Sequence, residues 1–321
     1  MTDKLMMTVW ISTICAFAVG IAAGFFLIPV LIRLKFGQEI REIGPKWHKK
    51  KAGTPTMGGV IFIIASLLTT LIFDRDKNSI FIVCTAFSFG LVGFADDFIK
   101  IAMKRNLGLT ERQKLILQIL AASLAAVVGV KTGVLSYEII VPFTKWRLNL
   151  WHFYIPFAVF VMVGGTNSVN LTDGLDGLAA SVTTVVSIFF TVMAYKFGDE
   201  SIAVFCASLT GSLLAFLVFN AYPAKVFMGD TGSLFLGGAV CGVALVLKLP
   251  LILVFAGGIY IIETLSVIIQ VTSYKLTGKR VFKMSPIHHH FEMSGFSERK
   301  IVVMFILASF LFCVISYFMV V

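Results

Sequence analysis

Charge is what this sequence is short of. Only 14% of its 321 residues are Asp, Glu, Lys or Arg, where a soluble globular domain carries about 25%. That shortage excludes an ordinary soluble domain. Cysteine is sparse too. Cys15, Cys84, Cys206, Cys241 and Cys313 all lie inside apolar runs, with no pair at zinc-ligand spacing, so they read as small packing residues. The first apolar run, 6–34, is not expected to be a removable signal peptide. It is too long for an h-region of about 7–15 residues, and basic residues follow it rather than precede it. The Gly-Lys-Ser/Thr ending of a Walker loop is absent. No internal repeat or low-complexity segment stands out.

What is abundant is hydrophobic length. Hydrophobic residues make up 58% of the chain, and runs of roughly 18 or more apolar residues recur along it, each long enough for a bilayer core of about 30 Å. Ten spans are expected, at 7–34, 56–73, 79–101, 115–131, 151–165, 178–197, 201–220, 232–248, 251–273 and 301–320. The expectation is an all-α polytopic membrane protein, one integral-membrane unit over 1–321. A small β-hairpin is expected within 132–150, outside the bilayer. The net charge of +10 resides in the turns, so it marks topology and not nucleic-acid binding. Loops 33–55, 96–114, 165–177, 221–231 and 274–300 hold 19 of the 27 Lys and Arg residues. The positive-inside rule places those loops in the cytoplasm and both termini outside.

Acidic residues follow the same side. Asp96, Asp97, Asp173, Asp176 and Asp230 fall in three cytoplasmic loops, each at the end of a span, and a helical bundle brings such ends together. Asp96 and Asp97 sit in Gly93-Phe-Ala-Asp96-Asp97-Phe-Ile-Lys100. An aspartate at mid-bilayer costs about 2.5–3.5 kcal/mol. The work that would retain such a pair is binding Mg²⁺ or taking a proton; the plain alternative is a solvated helix end. In Asn167-Ser-Val-Asn170-Leu-Thr-Asp173-Gly-Leu-Asp176-Gly, four polar residues recur every third position. If helical, they form one ridge; capping explains one or two of them, hardly all. In Phe227-Met-Gly229-Asp230-Thr-Gly232, preceded by Asn220, Asp230 is a Mg²⁺ ligand candidate, with a glycine turn and an N-cap aspartate as the alternative.

Three further segments carry polar groups. Lys49-Lys50-Lys51 reads first as a membrane-flanking anchor. The following Gly53-Thr54-Pro55-Thr56-Met57-Gly58-Gly59 could expose backbone N–H groups to an anion. In Pro286-Ile287-His288-His289-His290-Phe291-Glu292, consecutive side chains diverge, so one or two imidazoles would meet one ligand, by hydrogen bonds to phosphate or carboxylate. Glu263 and Gln270, seven apart, share a face of the ninth span. Glu263 is equally a functional acid or a structural hydrogen-bonding group, and Gln270, nearer the cytoplasmic loops, is the better site candidate.

Together these segments resemble the polyprenyl-phosphate N-acetylhexosamine-1-phosphate transferase superfamily. The Ala-Asp-Asp-Phe-Ile-Lys and Asn-Leu-Thr-Asp-Gly-Leu-Asp-Gly runs carry that likeness. Gly-Thr-Pro-Thr-Met-Gly-Gly and Pro-Ile-His-His-His-Phe-Glu are similar to the phospho-N-acetylmuramoyl-pentapeptide transferase branch. The resemblance spans Lys49 to Glu292 in the expected order. It implies ten transmembrane helices, a cytoplasm-facing cleft, Mg²⁺ dependence, a bacterial inner-membrane location and a homodimer. It implies that UDP-N-acetylmuramoyl-pentapeptide and undecaprenyl phosphate give lipid I and UMP in peptidoglycan synthesis. By resemblance Lys49, Thr54, Asn170, Asp173, Asp176, Asn220, Phe227, Gln270 and His289 map to donor contacts, with Asn167, His288 and His290 beside them. Lys114 is expected at the lipid phosphate or diphosphate, and Asp96, Asp97, Asp230 and His289 at the chemistry. Two competitors are a sister transferase using UDP-N-acetylglucosamine and a secondary transporter. The transporter would place binding groups at the midplane between recognisable halves; here the acids gather at one surface.

Overall fold

The computed structural model describes residues 2–34, 53–103, 107–144 and 146–320. Twelve helices follow in chain order: α1 (Thr2–Arg33), α2 (Gly59–Phe73), α3 (Lys77–Ala102), α4 (Glu111–Lys131), α5 (Tyr154–Thr172), α6 (Leu178–Phe197), α7 (Glu200–Asn220), α8 (Gly229–Val246), α9 (Pro250–Ala256), α10 (Gly258–Thr277), α11 (Ile287–Glu292) and α12 (Glu298–Val320). Among the described residues, nine are long and apolar enough to cross a membrane, and α2, at 15 residues, is shorter. The chain is a multi-pass membrane protein. Every expected span finds a helix, with two differences. The ninth span breaks at Gly257 into α9 and α10. The fifth does not stop near 165 but runs to Thr172, because Asn167, Ser168, Asn170 and Thr172 find hydrogen-bond partners inside the bundle rather than in a loop.

Side-chain capping sets several ends. Asp76 accepts from the Asn78 N–H at the start of α3, Thr110 and Gln113 form a reciprocal capping box on α4, and Asp199 accepts from the Ile202 N–H on α7. Within the spans, many hydroxyls bond back to the preceding turn, as Thr183 does to the Ala179 carbonyl at 2.7 Å, which satisfies those donors inside the bundle.

Helices α7 and α8 are buried along almost their whole length. Helix α8 packs on α3 and α5, and α7 on α1, α2 and α6. The outward faces of α1, α4 and α12 show Trp10, Phe25, Phe26, Leu124, Leu307 and Phe310, the surface that lipid solvates. Opposite the polar helix ends lies the expected hairpin. Strand β1 (Glu138–Ile140) pairs antiparallel with β2 (Arg147–Asn149), Ile139 opposite Leu148. It is tied to the bundle by the Ile140 N–H on the Lys248 carbonyl (2.8 Å) and the Phe143 N–H on the Met319 carbonyl (2.9 Å). The far end therefore carries the hairpin and the end of α12.

Candidate active site

Alternation of helix direction delivers the C-terminal ends of α3, α5, α7 and α10 and the N-terminal ends of α4, α6, α8 and α12 to one end of the bundle. There Asp96, Asp97 and Asp230 converge, each offering an oxygen within 4.8 Å of the others. The division of labour within each carboxylate is clear. Asp96 accepts the Leu109 N–H on Oδ1 (2.9 Å), and its Oδ2 pairs with the Lys100 ammonium. Asp97 accepts the Thr231 N–H (2.8 Å) and hydroxyl (2.7 Å) on Oδ2, and its Oδ1 is 3.5 Å from Lys100 Nζ. Asp230 accepts from Asn170 Nδ2 on Oδ1 (2.9 Å), while its Oδ2 takes Lys100 Nζ at 2.8 Å and Lys114 Nζ at 2.9 Å. One oxygen of each acid is thus spent on scaffolding, and the other three surround one cation.

The approach of α3 to α8 depends on Gly229. Its φ of +74° is the left-handed region, and a Cβ there would lie 2.6 Å from Asp97 Oδ2 and 2.9 Å from Thr56 Oγ1. Three hard oxygen ligands suit Mg²⁺, and the lysine ammonium seated among them is a stand-in cation. The residues present therefore fit that ion.

The remaining sequence candidates gather around this centre. Asn170 also donates to Ser233 Oγ at 2.8 Å. The expected four-residue ridge is not one helix face. Asn167 and Asn170 are helical, but α5 ends at Thr172, and Asp173 and Asp176 lie in the turn beyond. Asn167 turns to Gln118 of α4 (2.7 Å). Burial pushes the Asp173 carboxyl up to about 8, helped by the negative charges of Asp230, Asp97 and Asp176. Asp176 Oδ2 accepts the Ala224 N–H, and its own N–H donates to Glu298. Asn220 accepts the Gly177 N–H and donates to the Val226 carbonyl, fixing the bend that leads to Phe227, which is half-buried.

One expectation changes. The N–H groups of Gly58 and Gly59 are not open to an anion: they donate to the Phe227 and Met228 carbonyls at 2.8 and 3.0 Å, while the Phe227 N–H returns to Pro55. The 55–59 segment, next to half-buried Thr54, is a backbone clasp on the Asp230 loop. Gln270 spends its carbonyl on the Val281 and Phe282 N–H groups and its amide on the Phe282 carbonyl. Its described bonds therefore hold the loop before α11. On α11, buried His288 shares a hydrogen bond with Glu263, half-buried His289 pairs with Glu292, and His290 accepts the Lys283 N–H. Lys49 lies outside the described residues.

Comparison with known proteins places this geometry. A family model described as glycosyl transferase family 4 matches residues 79–248. A phospho-N-acetylmuramoyl-pentapeptide-transferase signature matches 51–63, a stretch that includes the 55–59 clasp. A phospho-N-acetylmuramoyl-pentapeptide-transferase of Caldanaerobacter subterraneus subsp. tengcongensis is 56% identical over 310 residues, covering 96% of this chain and 97% of that protein. The proteins of the same name from Clostridium novyi and Clostridium perfringens strain 13 are each 52% identical, covering 95% and 95%, and 98% and 98%, of the two chains. This chain belongs to the phospho-N-acetylmuramoyl-pentapeptide transferase family. As a transferase of that family it has one prominent polar residue that sequence reasoning passed over. Lys100 lies three and four positions after Asp97 and Asp96, a spacing that puts an ammonium on their helix face. Thr231 and Ser233, which anchor Asp97 and Asn170, carry no comparable signal.

Proposed function

We propose that this chain transfers phospho-N-acetylmuramoyl-pentapeptide from its UDP-linked donor to undecaprenyl phosphate, giving lipid I and UMP for peptidoglycan synthesis. The observation that carries the reading is the set of three inward-facing carboxylate oxygens around Lys100, with Lys114 beside them, at the membrane-boundary ends of α3, α4 and α8. A soluble anionic nucleotide and a lipid whose phosphate lies at the interface meet at such a surface.

Phosphoryl transfer asks a protein mainly for positioning and charge neutralisation. Mg²⁺ held by Asp96, Asp97 and Asp230 would supply neutralisation of the donor diphosphate. The protein does the rest. Lys114, and Lys100 once released from the carboxylates, pair with phosphate oxygens. Asn170, Asp173, Asp176 and His289 hold the donor, and Phe227 stacks on uracil. An oxygen of the lipid phosphate attacks the sugar-linked phosphorus, the bond to the uridylyl phosphate breaks, and UMP leaves with that electron pair. A phosphate monoester has its second pKa near 6, so much of the acceptor is already dianionic. Asp96 or Asp97 therefore needs only to take a residual proton, and direct displacement suffices without an aspartyl intermediate. The enzyme works as a homodimer in the bacterial inner membrane, among its lipids, with this end facing the cytoplasm.

The test combines purified protein, undecaprenyl phosphate and Mg²⁺ with either UDP-MurNAc-pentapeptide or UDP-GlcNAc, reading UMP release. Asp230→Ala and EDTA samples run alongside. UMP formed from the muramoyl donor alone, and lost in both controls, is the expected result. UMP from UDP-GlcNAc instead would discard the substrate assignment.

A further inference from the structure

Glu263 is a buried acid for which the reaction above has no use. It sits in a membrane-spanning helix, fully buried, where a carboxylate costs about 2.5–3.5 kcal/mol on insertion scales. Among the described residues no Lys or Arg pairs with it. Its described partner is His288, whose Nδ1 lies 2.9 Å from Glu263 Oε1.

His288 is itself 1% exposed, and what lies around its ring shows what the pair does. With Nδ1 committed to Glu263, Nε2 is the ring nitrogen that remains, and among the described residues it has no hydrogen-bond partner. It abuts Gly174: a Cβ at that position would fall on Nε2 and Cε1 of the imidazole. Gly174 lies between Asp173 and Asp176, in the turn that follows α5. On its other side the His288 ring packs against His289, with centroids 4.2 Å apart, and His289 is the half-buried imidazole that pairs with Glu292 at 2.6 Å. His288 is therefore a spacer between the turn of α5 and the exposed part of α11. Among the described residues, Glu263 is the hydrogen-bond partner that fixes which way that spacer faces. A carboxylate behind an imidazole sets ring orientation and tautomer in the same way behind catalytic and metal-bound histidines.

We propose that Glu263 is a positioning residue of the transferase site, holding His288 in the orientation that keeps the 173–176 turn and the His289 imidazole in register for the donor. The inference rests on the reading above that the turn and His289 contact the donor. It differs from a packing role in where the loss falls. A packing defect lowers stability and all kinetic parameters together, whereas a misplaced His288 weakens handling of the nucleotide donor and leaves the lipid acceptor alone.

The test uses full-length protein in detergent, with UMP release followed against each substrate in turn. Wild type comes first: no turnover of the muramoyl donor would reject the functional reading itself, and turnover that ignores Glu263 would reject only this inference. In Glu263→Leu, kcat/KM for UDP-MurNAc-pentapeptide is expected to fall about 10- to 100-fold, the range for losing a partner behind a working histidine. KM for undecaprenyl phosphate should stay within about twofold. Glu263→Gln, whose amide oxygen still accepts from Nδ1–H, should recover most of the loss. In a His288→Asn background, Glu263→Leu should add no further loss, since its effect passes through the missing ring. Unchanged donor kinetics in Glu263→Leu, equal losses for both substrates, or multiplying losses in the double variant would overturn the proposal. Should the leucine variant not give monodisperse protein, Glu263→Gln against Glu263→Asp decides. The shortened Asp should lose donor kcat/KM where Gln keeps it, and the opposite order refutes the positioning role.

Discussion

Replacing Lys100 by Met should improve metal binding while destroying activity. In the structure the Lys100 ammonium lies 2.8 Å from Asp230 Oδ2 and 3.5 Å from Asp97 Oδ1, and it contacts Asp96 Oδ2. An incoming divalent cation needs those same three oxygens, so it must first displace the ammonium. A hydrogen bond to a charged group is worth about 1.5–3 kcal/mol net. Lifting one such competitor, at 1.4 kcal/mol per decade, tightens the cation about 10- to 100-fold. Methionine keeps an unbranched flexible stem, one heavy atom shorter, and removes the ammonium. Catalysis moves the other way. Once displaced, the ammonium is free to meet phosphate oxygens, and losing one preorganised electrostatic partner costs about 10²–10³ in kcat. The assay is a Mn²⁺ titration of EDTA-stripped protein followed by the loss of free-Mn²⁺ paramagnetic resonance, with UMP release measured on the same preparations. Equal or weaker Mn²⁺ binding in Lys100→Met would refute the view that lysine and metal contend for one position.

Gly229→Ala should be nearly inactive yet still assemble. The left-handed backbone costs a Cβ about 1–2 kcal/mol, and that atom would displace Asp97 from the Thr231 N–H; UMP release and size-exclusion profiles check it. Asp173 gives a pH signature in metal-free protein. Its carboxyl is raised to about 8 from a usual 3.8, so between those values the folded state holds a proton the unfolded state has lost, and stability falls as pH rises through that window. Thermal midpoints taken from pH 5 to 9 should decline less steeply in Asp173→Asn. At the far end, Glu138→Gln removes the partner of Lys248 (3.1 Å) and of Arg147. Exposed pairs of this kind contribute about 0–1 kcal/mol, so activity and thermal midpoint should stay near wild type.

The bundle was legible in the sequence because lipid enforces long apolar runs, and the meeting of Asp96, Asp97 and Asp230 was legible because alternating helices must put them at one end. The limits of that reading have physical causes. Polarity was taken to end the fifth span near 165, but Asn167 and Ser168 bond Gln118 and the Gly164 carbonyl within the bundle, so α5 continues. The glycines at 58 and 59 looked available to a ligand because local sequence does not show that the loop 169 positions later claims their N–H groups. Glu263 and His288 lie 25 residues apart on different helices; no spacing rule joins them, and only the path of the chain through the 278–286 loop brings them together.

The glycines of α8 bear on how the protein is made. Gly229 and Gly238 let α8 lie close against α3, Gly237 against α5 and Gly232 against α2, but glycine is a poor helix former, about 1 kcal/mol below alanine per residue. A helix so composed is weak alone and secure only in company. Chain order provides that company, for α3 and α5 are synthesised before α8 leaves the ribosome. The segment carrying Asp230 can thus enter the membrane against neighbours already there, and the vectorial order of translation becomes part of how the centre is assembled.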